Sequence, residues 1–205
     1  MKIHDPIEII TFDFFGVLCA PMYGGLLRDL FPGDQVTWRK WMDLVEFEVD
    51  IGTVTEDTFI DLLSKECGVP APELKSRSYE YAKLNESLFE IIADLKHYYR
   101  VGLLTNAPRS IIETALKEKL ELFNTVTISG DIGIIKPHAE IYEQYIQACA
   151  LPADRIFFTD DNIRNVAAAR VSGIIATQYL TIPQFLLDLE HEGVVFPRYQ
   201  TLESI

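Results

Sequence analysis

The chain has 205 residues, 48% of them hydrophobic and 24% charged, which suits one sizeable core with a smaller attached module. Its 31 acidic against 18 basic side chains give a formal net charge of −13, a balance that repels polyanions and excludes nucleic acid as an expected partner. An anionic small molecule is not excluded, because a few lysines and a bound divalent cation reverse the field inside one cleft.

In chain order, Glu8 to Phe12 (EIITF) is a short, apolar, β-branched run that predicts a buried strand ending at Asp13, with Gly16 three residues later. From about Met22 to Asn85 follow four helix candidates with no convincing strand: GGLLRDLFP, TWRKWMDLVEFEVD, TEDTFIDLLSKECG and PELKSRSYEYAKLN. Helices then alternate with strands. SLFEIIADLKHYY precedes the strand RVGLLT, which ends at Thr105; PRSIIETALKEKLELF precedes TVTIS, ending near Ser129. PHAEIYEQYIQACA precedes RIFFT, ending at Asp160, and NIRNVAAARVSG precedes GIIATQYL, running toward Leu180. A helix over IPQFLLDLEHE and a short, unassigned apolar end close the chain. This alternation predicts a parallel sheet with helices on both faces. The helical insertion, placed directly after the first strand, is expected over the C-terminal edge of the sheet, where open α/β folds bind ligands.

Polar constellations terminate four of these strands. Asp13 suits a nucleophile or a turn cap, and Gly16 suits a tight backbone turn. Thr105, with the following amides and Pro108, suits an anion cradle at a helix start or a plain cap. Lys136, ahead of Pro137, suits a counter-cation for a carboxylate and a phosphate, or a surface lysine. Asp160 and Asp161 are adjacent carboxylates that a divalent cation would reconcile, with a helix cap as the structural alternative. In a parallel sheet all four fall along one edge, and together they supply the nucleophile, anion cradle, counter-cation and metal site that phosphoryl transfer needs.

The order FDFFGVL, LLTN, GIIKPHAEIY, FFTDDNIRNVAAARVSG resembles the four signature motifs of the haloacid dehalogenase-like superfamily, in its subgroup with a helical cap after the first motif. The resemblance spans about Glu8 to Leu180. It implies a Rossmann-like α/β core over 1–18 and 86–205, with the cap at 19–85. It also implies Asp13 as nucleophile, Thr105 on the transferring phosphoryl group, Lys136 orienting both, and Asn106 contacting substrate or nucleophile. Magnesium would be held by Asp13, Asp160, Asp161 and the backbone carbonyl of Phe15, with Asn165 bracing the acidic loop, and the partner would be a small phosphate ester.

One departure matters. Where most phosphatases of the family carry a second Asp, two residues after the nucleophile, this chain has Phe15, which cannot transfer a proton. Three readings follow: a phosphatase in which a cap residue, substrate group or water handles the proton; a 2-haloacid dehalogenase, against which the retained TDD argues; or a non-catalytic relative that binds or regulates. His138, just after Lys136-Pro137, is one candidate replacement acid, whereas His97 reads as a surface residue at the end of a helix. Trp38, Trp41, Phe47, Tyr79 and Tyr81 read as packing within the cap in preference to sugar-stacking platforms.

The cysteines, Cys19, Cys67 and Cys149, have the spacing of neither a disulfide framework nor a metal knuckle, which suits a reducing compartment. With no basic start and cleavage site at the N-terminus and no apolar run near the roughly 20 residues of a membrane helix, a cytoplasmic location without a membrane partner is expected.

Overall fold

The computed structural model describes residues 6–195. Five strands, β1 (Ile9–Phe12), β2 (Arg100–Thr105), β3 (Thr125–Ile128), β4 (Ile156–Asp160) and β5 (Ile175–Gln178), form one parallel sheet in the order β3-β2-β1-β4-β5. β1 lies at the centre, every residue of it buried. Phe12 pairs with Leu103 of β2 and Thr159 of β4, and the Asp13 amide extends the ladder by donating to the Thr159 carbonyl at 3.0 Å. One residue beyond Phe12, Asp13 therefore stands level with Leu104 on one side and Asp160 on the other.

Four consecutive helices, α1 (Met22–Leu30), α2 (Gln35–Leu44), α3 (Glu56–Cys67) and α4 (Ala71–Tyr81), separate β1 from β2, with a π-helical turn over Val45–Val49 continuing α2. They bury their own cluster, including Met22, Leu26, Trp41, Phe59, Leu63 and Leu74. The chain enters and leaves this insertion through adjacent antiparallel segments: Asn85 N donates to Leu18 O and Ala20 N to Lys83 O, both at 2.9 Å. These bonds satisfy the backbone of the two crossing segments at the boundary with the sheet.

The remaining helices cover the sheet. α5 (Glu86–Leu95), α6 (Arg109–Leu116) and α10 (Ile182–His191) bury Leu88, Ile92, Ile112, Phe185 and Leu189 against Ile10, Phe12 and Leu103 on one face. α8 (Ala139–Cys149) and α9 (Ile163–Val171) bury Ile141, Tyr142, Tyr145 and Val166 against Ile9, Leu104 and Phe158 on the other. Alternate strand residues thus feed opposite clusters, as the pleat requires. A short helix, α7 (Ser129–Ile132), follows β3 directly. The architecture is the α/β parallel sheet with helices on both faces expected from the alternation, and Rossmann-like as the family resemblance implies.

Local boundaries differ from the sequence reading. The helix expected through Phe123 stops at Leu116, because Lys117 takes a positive φ of 48° and breaks the i→i−4 ladder; 3₁₀ turns continue to Leu122. Pro108 is the N-cap of α6, not a residue of its first turn. β5 ends at Gln178, short of Leu180. α5 ends at Leu95, so His97 lies beyond it, exposed in the turn ahead of β2 and at the opposite end of that strand from Thr105. The apolar end beyond Val195 lies outside the described residues. No helix among the described residues is long and apolar enough to cross a membrane.

Candidate active site

The C-terminal ends of β1, β2 and β4 deliver Asp13, Thr105 and Asp160 to one edge of the sheet, all three buried. Lys136, from the loop between α7 and α8, reaches into the middle of them. Its ammonium donates to Asp13 Oδ1 at 2.7 Å, to Asp160 Oδ2 at 2.6 Å and to the Leu104 carbonyl at 3.0 Å. A lysine ammonium has three donors, and here each has an acceptor. The Lys136 side chain is 1% exposed and that of Asp160 is fully buried, so this shared bridge works in a low-dielectric setting.

The lysine is fixed from both ends. Asn106 Nδ2 donates to the Lys136 carbonyl at 3.0 Å, and the Lys136 amide donates to Asn106 Oδ1 at 2.8 Å. The Asn106 carboxamide is thereby engaged on the backbone of Lys136, a positioning contact that sequence reasoning missed, and the residue also lines the cleft. Asp160 is held in turn by Asn165 Nδ2, which donates to its two oxygens at 3.1 and 3.0 Å, and by the Asn162 amide at 2.8 Å. Asn162 also caps α9 through Arg164 N.

Burial raises the Asp13 carboxyl to about 7, the neighbouring Asp160 adds to this, and Lys136 opposes it. Burial likewise works against the Lys136 ammonium, but Asp13 and Asp160 outweigh it and hold the lysine above its ordinary value. Asp161, at the cleft edge, is raised by burial and then by Asp160.

One oxygen each from Asp13, Asp160 and Asp161 can be chosen so that all lie within 4.8 Å of one another. This all-oxygen set suits a small, hard divalent cation such as magnesium. Phe15 also lines this part of the cleft, beside the carboxylates whose ligand set its carbonyl would complete. Gly16 makes the arrangement possible: its φ is +88°, and a Cβ there would overlap the Asp161 carboxylate.

Thr105 ends β2 with its Oγ1 buried and without a hydrogen-bond partner. A buried hydroxyl left unpaired costs free energy, and an anion oxygen would satisfy it. Of the amides that follow, that of Ala107 donates to Ser129 Oγ at 2.9 Å and is committed within the fold.

The Phe15 ring packs edge-on against Phe14, with centroids 4.8 Å apart, and touches both the sheet cluster and the insertion cluster. It is an apolar wedge at the junction. His138 is exposed at the start of α8 and is not among the residues lining the cleft. Trp41 is buried within the insertion, with Trp38, Tyr79 and Tyr81 packed against the same cluster; Phe47 instead is exposed, and none of the five lines the cleft.

The insertion contributes cleft residues that sequence reasoning missed, among them Tyr23, Glu46 and Asp50. The only sequence signal for Asp50 was a carboxylate shortly before a glycine, in a segment rich in other carboxylates.

A family model described as haloacid dehalogenase-like hydrolase matches residues 7–173. The chain belongs to this family. Among curated proteins, bifunctional epoxide hydrolase 2 of Rattus norvegicus is 24% identical over 220 residues, covering 93% of this chain and 40% of the relative. Pyrophosphatase PpaX of Bacillus cereus (strain AH820) is 29% identical over 91 residues, 43% of this chain and 42% of the relative. The chain thus aligns with about two fifths of each relative's length.

Among solved structures, HAD family enzyme bt-2542 of Bacteroides thetaiotaomicron superposes with a TM-score of 0.74 at 17% identity, covering 86% of this chain and 95% of that one. The same enzyme has been solved in complex with magnesium and inorganic phosphate. L-2-haloacid dehalogenase of Xanthobacter autotrophicus superposes at 0.64 with 15% identity over 95% of this chain and 86% of that one. At these identities the likeness concerns the fold.

Proposed function

We propose that this haloacid dehalogenase-like hydrolase is a magnesium-dependent phosphatase acting on a small phosphate monoester through an aspartyl-phosphate at Asp13. The observation that carries the reading is the Lys136 ammonium shared between Asp13 and Asp160, with Asp161 completing a triangle of oxygen donors. A buried ammonium bonded to a carboxylate orients that carboxylate for attack and offsets charge that builds during transfer. The unpartnered Thr105 hydroxyl, one strand away, suits a phosphoryl oxygen.

Magnesium bound by Asp13, Asp160, Asp161 and the Phe15 carbonyl would neutralise phosphoryl oxygens that an otherwise acidic cleft repels. Asp13 attacks phosphorus in line, Lys136 and Thr105 hold the transferring group, and water then hydrolyses the aspartyl ester. The helical insertion acts as the cap, carrying substrate choice and excluding water. The magnesium and inorganic phosphate found with the Bacteroides enzyme, and the pyrophosphatase activity named for the Bacillus relatives, support phosphorus over carbon as the centre attacked. The retained Asp160-Asp161 pair supports metal-dependent chemistry over dehalogenation.

The test is phosphate release from p-nitrophenyl phosphate and common sugar phosphates, with and without magnesium, beside an Asp13→Asn control. Magnesium-dependent release abolished in the control is expected. Binding of magnesium and a phosphate mimic without any release would instead favour the non-catalytic, regulatory reading.

A further inference from the structure

We propose that Asp50, carried by the helical insertion, is the proton donor and acceptor that the site lacks at position 15, an inference that rests on the phosphatase reading above. In an in-line displacement the leaving oxygen departs away from Asp13, toward the side of the cleft that the insertion closes. Three cleft-lining residues on that side carry an acidic side-chain proton or carboxyl: Tyr23, Glu46 and Asp50. The Tyr23 hydroxyl points to Glu56 Oε1 at 3.5 Å, and burial followed by the Glu56 charge pushes it well above the ordinary phenol value, which makes it a poor acid. Glu46 is ion-paired with Arg39 at 3.0 Å, near the solvent-exposed rim. No described lysine or arginine forms an ion pair with Asp50.

The backbone around Asp50 is docked in place. It closes the π-helical turn, its amide donating to Val45 O at 2.9 Å, a local widening often found at functional sites. Its carbonyl accepts from Ser129 Oγ, the hydroxyl that also accepts from Ala107 N two residues after Thr105. Gly52, at φ +87°, lies on the Gly130 backbone so closely that a Cβ would come within 2.7 Å of Gly130 O. These contacts tie the insertion to the ends of β2 and β3 at the point that presents the carboxyl.

The charged groups facing it are Glu46 on its own element, Asp13 after β1, and Lys136 from the loop before α8; Tyr23 of α1 also feels its charge. Burial, then Glu46 and Asp13, hold Asp50 well above the ordinary carboxylate range, while Lys136 works the other way. A carboxyl that keeps its proton near neutral pH is suited to general acid work.

In the first step an Asp13 oxygen bonds to phosphorus and the ester P–O bond breaks. The departing oxygen takes its electron pair and the Asp50 proton, leaving an alcohol, an aspartyl-phosphate and an Asp50 carboxylate. In the second, that carboxylate takes a proton from water as the water oxygen bonds to phosphorus; the aspartyl O–P bond breaks and its electron pair returns to Asp13. Asp50 ends protonated, and inorganic phosphate leaves.

The experiment compares two esters, p-nitrophenyl phosphate, whose leaving group needs little protonation, and an alkyl phosphate that the wild type turns over. Asp50→Asn is expected to lose about 10²–10⁴-fold in kcat on the alkyl ester, the range for one general acid, and on the activated ester to keep a rapid burst of nitrophenol while the hydrolysis of the aspartyl-phosphate that follows slows. Asp50→Glu, which keeps an acid, is expected to retain more alkyl-ester activity than Asp50→Asn, and His138→Ala to match wild type. Melting curves and magnesium titrations accompany each variant, and unchanged values are expected because the loop is anchored by backbone. A nitrophenol burst slowed as much as alkyl-ester turnover, equal losses in the Asn and Glu variants, or full alkyl-ester activity in Asp50→Asn would each overturn the assignment. Absence of phosphate release by the wild type from either ester would overturn the phosphatase reading itself.

Discussion

Replacing Lys136 by Met removes the cation that two buried carboxylates share while nearly keeping the volume of its stem. In the wild type Asp13 and Asp160 each receive one ammonium hydrogen bond, and a third goes to the Leu104 carbonyl. Lys136 is 3% exposed and Asp160 fully buried, so water cannot take over these bonds without the site opening. Removing one partner of a buried ion pair costs about 3–5 kcal/mol, because the remaining charge is left uncompensated. For a domain of this size each kcal/mol lowers the melting temperature by roughly 2–4 °C, so a loss of about 6–20 °C is expected in chelator near pH 8. At pH 5 the loss should be smaller, since the freed carboxylates can bind protons in place of the ammonium. Saturating magnesium should restore part of the stability, because the cation offsets the same charges, yet turnover should stay at least about 10²-fold down because the orienting contact is gone. Thermal denaturation by circular dichroism at both pH values, with chelator and with magnesium, checks all of this. A fall of less than about 2 °C near pH 8 in chelator would refute the shared buried bridge.

Gly16→Ala meets a positive φ and the Asp161 carboxylate together, so magnesium affinity should drop at least about tenfold by calorimetric titration, with the circular dichroism spectrum preserved. Asn165→Leu leaves Asp160 without two of its hydrogen bonds and should weaken magnesium about 10–100-fold; unchanged affinity would mean that Asp160 needs no bracing. The metal-free protein should lose stability as pH rises. The folded state raises Asp13 from the usual 3.8 to about 7, so it binds more protons than the unfolded chain in that window, and this contribution is full below about 4 and lost as pH passes 7. Asp161 and Asp50 are shifted in the same direction. Chemical denaturation between pH 4.5 and 8 should show that slope, flattened in Asp13→Asn and by saturating magnesium; a slope unchanged in Asp13→Asn would place its origin elsewhere.

Much of the core was legible because strand burial and helix periodicity are written locally. EIITF and RIFFT are mostly apolar because the strands they form, Ile9–Phe12 and Ile156–Asp160, are buried at every residue between two helical layers, and helices such as α5 carry their apolar residues on one side. Once those strands are parallel, residues at their C-terminal tips must share an edge, which is why Asp13, Thr105 and Asp160 could be grouped before any coordinates. The early end of α6 was not legible, since nothing in the composition of KEKLEL announces the left-handed Lys117. The role of Asn106 depended on where the loop carrying Lys136 lies, thirty residues away in the chain.

The sequence alone therefore determined the sheet-and-helix class, the helical insertion after β1, and the residue types gathered at the strand ends. Only the tertiary structure decided that Lys136 spans two carboxylates, that Asn106 grips the backbone of that lysine, and that His138 stays outside while Asp50 enters the cleft. The reason is physical. Periodicity reports which side of an element is apolar, whereas the choice of one carboxylate among the many on the insertion depends on how that module docks. Docking here is fixed by single contacts distant in sequence, Ser129 on the Asp50 carbonyl and Gly52 against Gly130, which no local pattern encodes.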